Sequence, residues 1–140
     1  MKKLRWDLIN LFLITLTAPL FFYKLGQTSL VSWDEAWYGD VSRHISQTGN
    51  LFNLIYNVTT FTDKPPGGFW IEAMFFKLFG ISEWIARLPQ AIAGIITLYV
   101  VYLLGSKLFN KTIGFASAIS LSSSFWFLDR ARSGNLDVLL

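Results

Sequence analysis

From Leu88 to Leu104 the chain runs without a single charge, and from Thr112 to Leu128 it does so again. At about 1.5 Å per residue each run covers roughly 26 Å as a helix, close to the hydrocarbon thickness of a bilayer. A soluble fold of 140 residues has little room to hide two such helices. Composition agrees, since hydrophobic residues make up 53% and charged residues 15%, with a mean hydropathy of +0.44. The chain reads as a membrane protein. It has no cysteine, so disulfides and thiolate metal sites are excluded and sulfur chemistry says nothing of the compartment. Lysines and arginines are scattered at the ends of apolar segments, with no basic, aromatic-interleaved surface for nucleic acid.

A third apolar run, Leu8 to Leu25, follows the basic start Met1-Lys2-Lys3-Leu4-Arg5. It predicts a first span, with Lys24 snorkelling at its far end. A cleavable signal peptide is the rival, but Thr17-Ala18-Pro19 makes a poor cleavage site. The sequence therefore predicts an all-α, multi-pass protein with three spans, about 8–25, 88–104 and 112–128. The positive-inside tendency places the amino terminus in the cytoplasm, and the lysines of Gly105-Ser106-Lys107-Leu108-Phe109-Asn110-Lys111 agree with a cytoplasmic turn between the last two spans. Ser117, Ser120, Ser122, Ser123 and Ser124 read as small packing positions within the third span.

That topology leaves residues 26–83 on the extracytoplasmic side. Tyr38, Val41 and Ile45 recur at the spacing of one helical face across Glu35 to Gln47, with Asp40 able to meet Arg43 or His44 and Gly49-Asn50 as the stop. Ser32 and Glu35 fit a capping box at its start. From Pro66 a second helical pattern contains Phe69, Trp70, Met74, Phe75, Phe76 and Phe79, interrupted by Glu72 and Lys77. It reads as an interfacial amphipathic helix. Asn57-Val58-Thr59 matches a glycosylation sequon by pattern only.

A basic-led first span is followed in order by Asp34-Glu35 with Tyr38 one turn on, Arg43, Gly49, Lys64-Pro65, a tryptophan-bearing helix, Arg87 before the second span, and Arg132-Ser133-Gly134-Asn135-Leu136-Asp137 after the third. This order resembles the amino-terminal part of polytopic glycosyltransferases of the GT-C superfamily related to protein O-mannosyltransferases and to the aminoarabinose transferases of lipid A. The resemblance implies an inverting membrane enzyme that takes its sugar from a polyprenyl-phosphate donor at the extracytoplasmic face and passes it to a hydroxyl of a lipid, glycan or protein.

Each residue carried over has a chemical reason. An acceptor hydroxyl is a weak nucleophile at neutral pH, and a positioned carboxylate that takes its proton lowers the barrier. Asp34 is the expected base, with Glu35 the second choice or a helix-capping residue. The leaving group is a lipid phosphate whose charge grows as the glycosidic bond breaks. Lys64, stiffened by Pro65 and Pro66, is the expected partner of that charge. Arg130 and Arg132 lie beyond the third span and suit either the donor phosphate or lipid headgroups. Tyr38, Arg43, Asp63 and Asp137 are supporting positions. Related enzymes often carry glutamate where Asp63 stands, and in some an acidic residue there helps hold a divalent metal. The replacement leaves the metal open, and His44 alone does not make a site.

The chain is short for an enzyme that encloses a lipid, and Gly134 to Leu140 reads as a helix that begins and stops. The expectation is a truncated GT-C membrane domain, inactive alone, that needs further spans or a partner subunit. The alternatives are a noncatalytic membrane module that binds isoprenoid lipid or a partner, and a small structural subunit anchored by its aromatic outer helices. Single cysteines at Ser29, Gln47 and Thr60 should react with a membrane-impermeant thiol reagent in intact cells, while one at Ser106 should not; labelling at Ser106 with none at Gln47 reverses the orientation.

Overall fold

The structure, a computed structural model, describes residues 17–30, 33–57, 59–136 and 139. Most of the expected first span, and Ser32 and Asp137, lie outside the described residues. Helix α1 is described over 17–22 and ends in a turn at 23–26. Then follow α2 (Asp34–Thr48), β1 (Ile55–Tyr56), β2 (Thr59–Thr60), α3 (Gly67–Phe79), α4 (Glu83–Leu108), α5 (Lys111–Ser122) and α6 (Phe125–Arg132).

Helix α2 follows its sequence pattern closely. Tyr38, Val41 and Ile45 are all buried, and Gly49 ends the helix at φ 74°, with its N–H on the carbonyl of Ile45. Glycine enters that left-handed region without a Cβ penalty. Asp40 pairs with Arg43 at 2.8 Å, so of the two partners allowed by spacing the arginine is the one used. Helix α3 packs on α2, and Phe69 and Ala73 join Tyr38, Val41, Ile45, Leu54, Phe61 and Leu136 in one core. The chain between them forms a short antiparallel hairpin, Ile55 opposite Thr60 and Tyr56 opposite Thr59, which corrects the all-α expectation in this small respect. Asn57 turns it at φ 45°, a conformation that asparagine tolerates better than most residues.

Helix α4 is the one described helix long and apolar enough to cross a membrane. It is longer than the predicted 88–104. Ser82 caps it by accepting from the Ile85 N–H at 3.3 Å, so Trp84 and Arg87 lie within its opening turns rather than ahead of it. Helix α5 folds back along α4, and at Gly105 a Cβ would meet the Gly114 Cα at 2.7 Å, too close for any side chain. Such backbone approach between apolar helices needs small residues. Gly94 does the same service higher on α4, where Phe21 of α1 and Ala131 of α6 crowd the helix.

The third span, expected as one helix over 112–128, is two. Helix α5 has 12 residues, about 18 Å of rise, which is short of a bilayer. The serines explain the break. Ser122 Oγ donates to the Ile119 carbonyl and Ser123 Oγ to the Ser120 carbonyl, each at 2.9 Å, and Ser124 then turns extended at ψ 118°. Hydroxyls that bond nearby carbonyls compete with the helical ladder. Of the five serines only Ser122 is buried, so packing accounts for little of the run.

Glu72 also departs from expectation. The sequence takes Glu72 as an interruption in the apolar pattern of an interfacial helix, whereas the structure buries it. Ile71, Met74 and Leu78 are exposed, while Glu72 is 1% exposed and faces α2, where Ser42 Oγ donates to Oε2 at 3.1 Å and Oε1 has no partner. Burial pushes its carboxyl up to about 8 despite that hydrogen bond, with a smaller contribution from the charge of Glu35. The folded value exceeds the usual 4.5, so the unfolded chain releases this proton first. The contribution to stability is complete below pH 4.5 and declines as pH rises toward 8. In detergent, Glu72→Gln should abolish that part of the decline in thermal midpoint between pH 5 and 8; an unchanged slope would mean the carboxyl is not held protonated.

Candidate active site

The opening of α2 is fixed by a buried ion pair. Arg87, in the second turn of α4, presents Nε and Nη2 to the two oxygens of Glu35 at 3.1 and 2.9 Å. Its remaining donors go to main-chain carbonyls: Nη1 to Leu25 at 2.8 Å and Thr28 at 2.9 Å, Nη2 to Ser29 at 3.1 Å. Arg87 is 4% and Glu35 7% exposed. Glu35 Oε1 also accepts the Gly134 N–H, which draws the strand of chain after α6 onto the same carboxylate. The residue before α2 is Trp33, whose side chain makes no cap bond, and Glu35 is engaged across the fold; Ser32 of the expected capping box lies outside the described residues.

Asp34 is the neighbour of Glu35 and faces the other way. It is exposed and lines a cleft of about 670 Å³ formed with Lys24 and Leu25 after α1, Arg87 of α4, Asp129, Arg130 and Arg132 of α6, and Asn135 beyond it. Tyr38 OH donates to Asp34 Oδ1 at 3.4 Å, and Asn135 Nδ2 to Oδ2 at 3.3 Å. Asn135 is 3% exposed. Arg132 spends Nη2 on the Tyr23 carbonyl at 2.6 Å, while its Nε is buried without a partner. Arg130 is exposed. Lys24 adopts φ 57° and sits 5.4 Å above the Tyr23 ring. Trp33 is held at φ 76°, unusual for a bulky residue, and its exposed ring begins a row with Trp37 at 5.3 Å and Tyr56 a further 5.2 Å on.

The structure thus gathers Asp34, Tyr38, Arg130 and Arg132, and puts Glu35 behind them in a structural pair. Lys64 is half-buried in the turn before α3 and does not line the cleft. Asp63 beside it is exposed. Arg43, in the middle of α2, pairs with Asp40 and does not line the cleft. Among the described residues no three His, Asp or Glu side chains converge to hold a metal. Sequence reasoning passed over Asn135, Lys24 and Trp33 as site residues. Asn135 stood within the Arg132–Asp137 motif, and Trp33 and Lys24 flank segments already marked.

Residues 63–140 match the family model described as dolichyl-phosphate-mannose-protein mannosyltransferase. The chain belongs to this family. Among similar proteins, the undecaprenyl phosphate-alpha-4-amino-4-deoxy-L-arabinose arabinosyl transferase of Pseudomonas savastanoi pv. phaseolicola is 29% identical over 133 residues, covering 93% of this chain and 24% of that protein. The corresponding transferase 1 of Pseudomonas fluorescens is 29% identical over 136 residues, covering 95% and 23%. The crystal structure of ArnT from Cupriavidus metallidurans bound to undecaprenyl phosphate superposes with a TM-score of 0.83 at 25% identity, covering 95% of this chain and 24% of that one. The chain spans about a quarter of the length of these relatives.

Removing Arg87 strands a buried carboxylate. Arg87→Ala should destabilise the fold by about 3–5 kcal/mol, and adding Glu35→Gln should recover part of the loss; Arg87→Lys should also destabilise, because an ammonium cannot reproduce the fork. Thermal unfolding in detergent measures all three, and a wild-type midpoint for Arg87→Ala would refute the structural role.

Proposed function

We propose that this chain is the base-bearing amino-terminal part of a membrane glycosyltransferase that moves a sugar from a polyprenyl-phosphate donor to an acceptor hydroxyl at the extracytoplasmic face. The observation that carries the reading is Asp34, exposed in a cleft whose walls hold Lys24, Arg130 and Arg132, in a chain whose fold matches that of ArnT bound to undecaprenyl phosphate. A carboxylate beside cations suits a reaction that takes up one proton and releases one anion.

In this reading the acceptor oxygen attacks the anomeric carbon, its proton passes to Asp34, and the bond from that carbon to the phosphate oxygen breaks. Attack from the face opposite the leaving group inverts the centre in one displacement. Arg130 and Arg132, both on the cleft wall, meet the phosphate charge as it develops. Lys64, stiffened by Pro65-Pro66 outside the cleft, reaches the same phosphate from the α3 side. Helix α4 anchors the unit in the bilayer, and the exposed apolar face of α3 lies on its outer surface. The remainder of the lipid cavity comes from further spans, as the greater length of the relatives suggests.

In the full-length protein in membranes, Asp34→Asn should lower transfer about a hundredfold to ten-thousandfold while leaving insertion intact. Activity near wild type would remove Asp34 as base. Lys64→Ala should reduce single-turnover rate more than Lys77→Ala, which removes a cation from the exposed side of α3. Equal, small effects would leave the phosphate to Arg130 and Arg132.

A further inference from the structure

We infer that Asn135 is the positioning residue of the Asp34 base, an inference that rests on the transferase reading above. Asp34 receives one donor on each oxygen, Tyr38 from one turn along its own helix and Asn135 from the segment beyond α6. Each carboxylate oxygen has two lone pairs. The two donors therefore fix the plane of the group and leave a lone pair on each oxygen for the cleft, where Asp34 is exposed.

What makes Asn135 more than a satisfied buried amide is how its main chain is held. Gly134 donates its N–H to Glu35 Oε1, and Glu35 is clamped by Arg87, so the peptide before Asn135 is tied to the residue beside Asp34. The distance from Asn135 to Asp34 is set by the same carboxylate that orients the start of α2. A Cβ on Gly134 would lie 3.5 Å from Glu35 Cγ and Oε1, already in contact, so the loop fits closely against the pair. Asn135 is 3% exposed and yet lines the cleft.

A side chain that only fills space tolerates an isosteric replacement. One that donates to a carboxylate does not, because aspartate has the same shape, loses the N–H and adds a like charge 3.3 Å from Asp34. In the full-length protein, Asn135→Ala should lower kcat about tenfold to a hundredfold, the scale of a misplaced reacting group, with the KM for donor little changed. Asn135→Asp should lose at least as much, and its thermal midpoint should fall as well, because the new carboxylate is buried beside Asp34. Combined with Asp34→Asn, Asn135→Ala should add no further loss, since nothing remains to position.

Three results would overturn the assignment. Asn135→Asp with wild-type kcat, or a rise in KM with kcat unchanged, would remove the positioning role while Asp34 stands as base. Additive losses in the double variant would show that Asn135 acts independently of Asp34. An active Asp34→Asn enzyme would instead sink the transferase chemistry assigned to Asp34, and the role of Asn135 with it.

Discussion

Everything at the cleft depends on Arg87 finding five acceptors inside the fold. A guanidinium has five N–H donors and no way to shed its charge, so burying it demands that each be met. Here two go to Glu35 and three to the carbonyls of Leu25, Thr28 and Ser29. With the Gly134 N–H on the same carboxylate, the turn after α1, the start of α2, the second turn of α4 and the exit of α6 converge on one charge pair. Buried ion pairs add little net stability over an apolar core, because desolvation offsets the attraction. What this one supplies is registry. Successive residues of a helix point about 100° apart, so turning Glu35 inward toward Arg87 turns Asp34 out toward the cleft.

The cleft's charges are then sorted by what each has left to offer. Arg87 is fully committed, so it contributes little free cationic surface to a ligand. Arg132 uses one nitrogen on the Tyr23 carbonyl and keeps Nε unpartnered. Arg130 is exposed. Both arginines stand in the last turn of α6, where a cation also complements the helix dipole. That placement alone would account for them as ordinary C-terminal residues. The cleft that they line together with Asp34 is what the proposed phosphate role adds to that placement.

Local chemistry was legible in the sequence and distant pairing was not. Tyr38, Val41 and Ile45 announced α2, and Gly49 its end, because period and left-handed φ are written in adjacent residues. Helix α4 begins earlier than charge counting suggested, since Arg87 could be buried only by partners 52 to 62 positions away. The same blindness left Glu72 as a mere interruption of the α3 pattern, where α2 in fact buries it. Ser122 to Ser124 read as packing residues in an unbroken span, whereas the hydroxyls of Ser122 and Ser123 return to carbonyls of their own helix where it ends. The site showed the same division: Asp34 stood out in its Trp-Asp-Glu setting, but its partner Asn135 lies 101 residues away.

Four carboxyl groups cluster near the start of α2 and the cleft, and environment leaves one of them suited to take a proton from a substrate. Glu72 is sealed between α2 and α3 with its carboxyl pushed up to about 8, so near neutrality it carries a proton already and has no path to the cleft. Glu35 borders the cleft, but Arg87 and Gly134 occupy it, and protonating it would break the pair that holds four segments together. Asp129 lines the cleft from α6 and is exposed, and no described residue donates a hydrogen bond to orient its carboxylate. Asp34 alone combines access with orientation, one donor on each oxygen and the open side toward the cations. A general base needs a free lone pair in a fixed direction more than it needs an altered basicity. The fold provides that direction by spending its neighbouring carboxylate on an arginine.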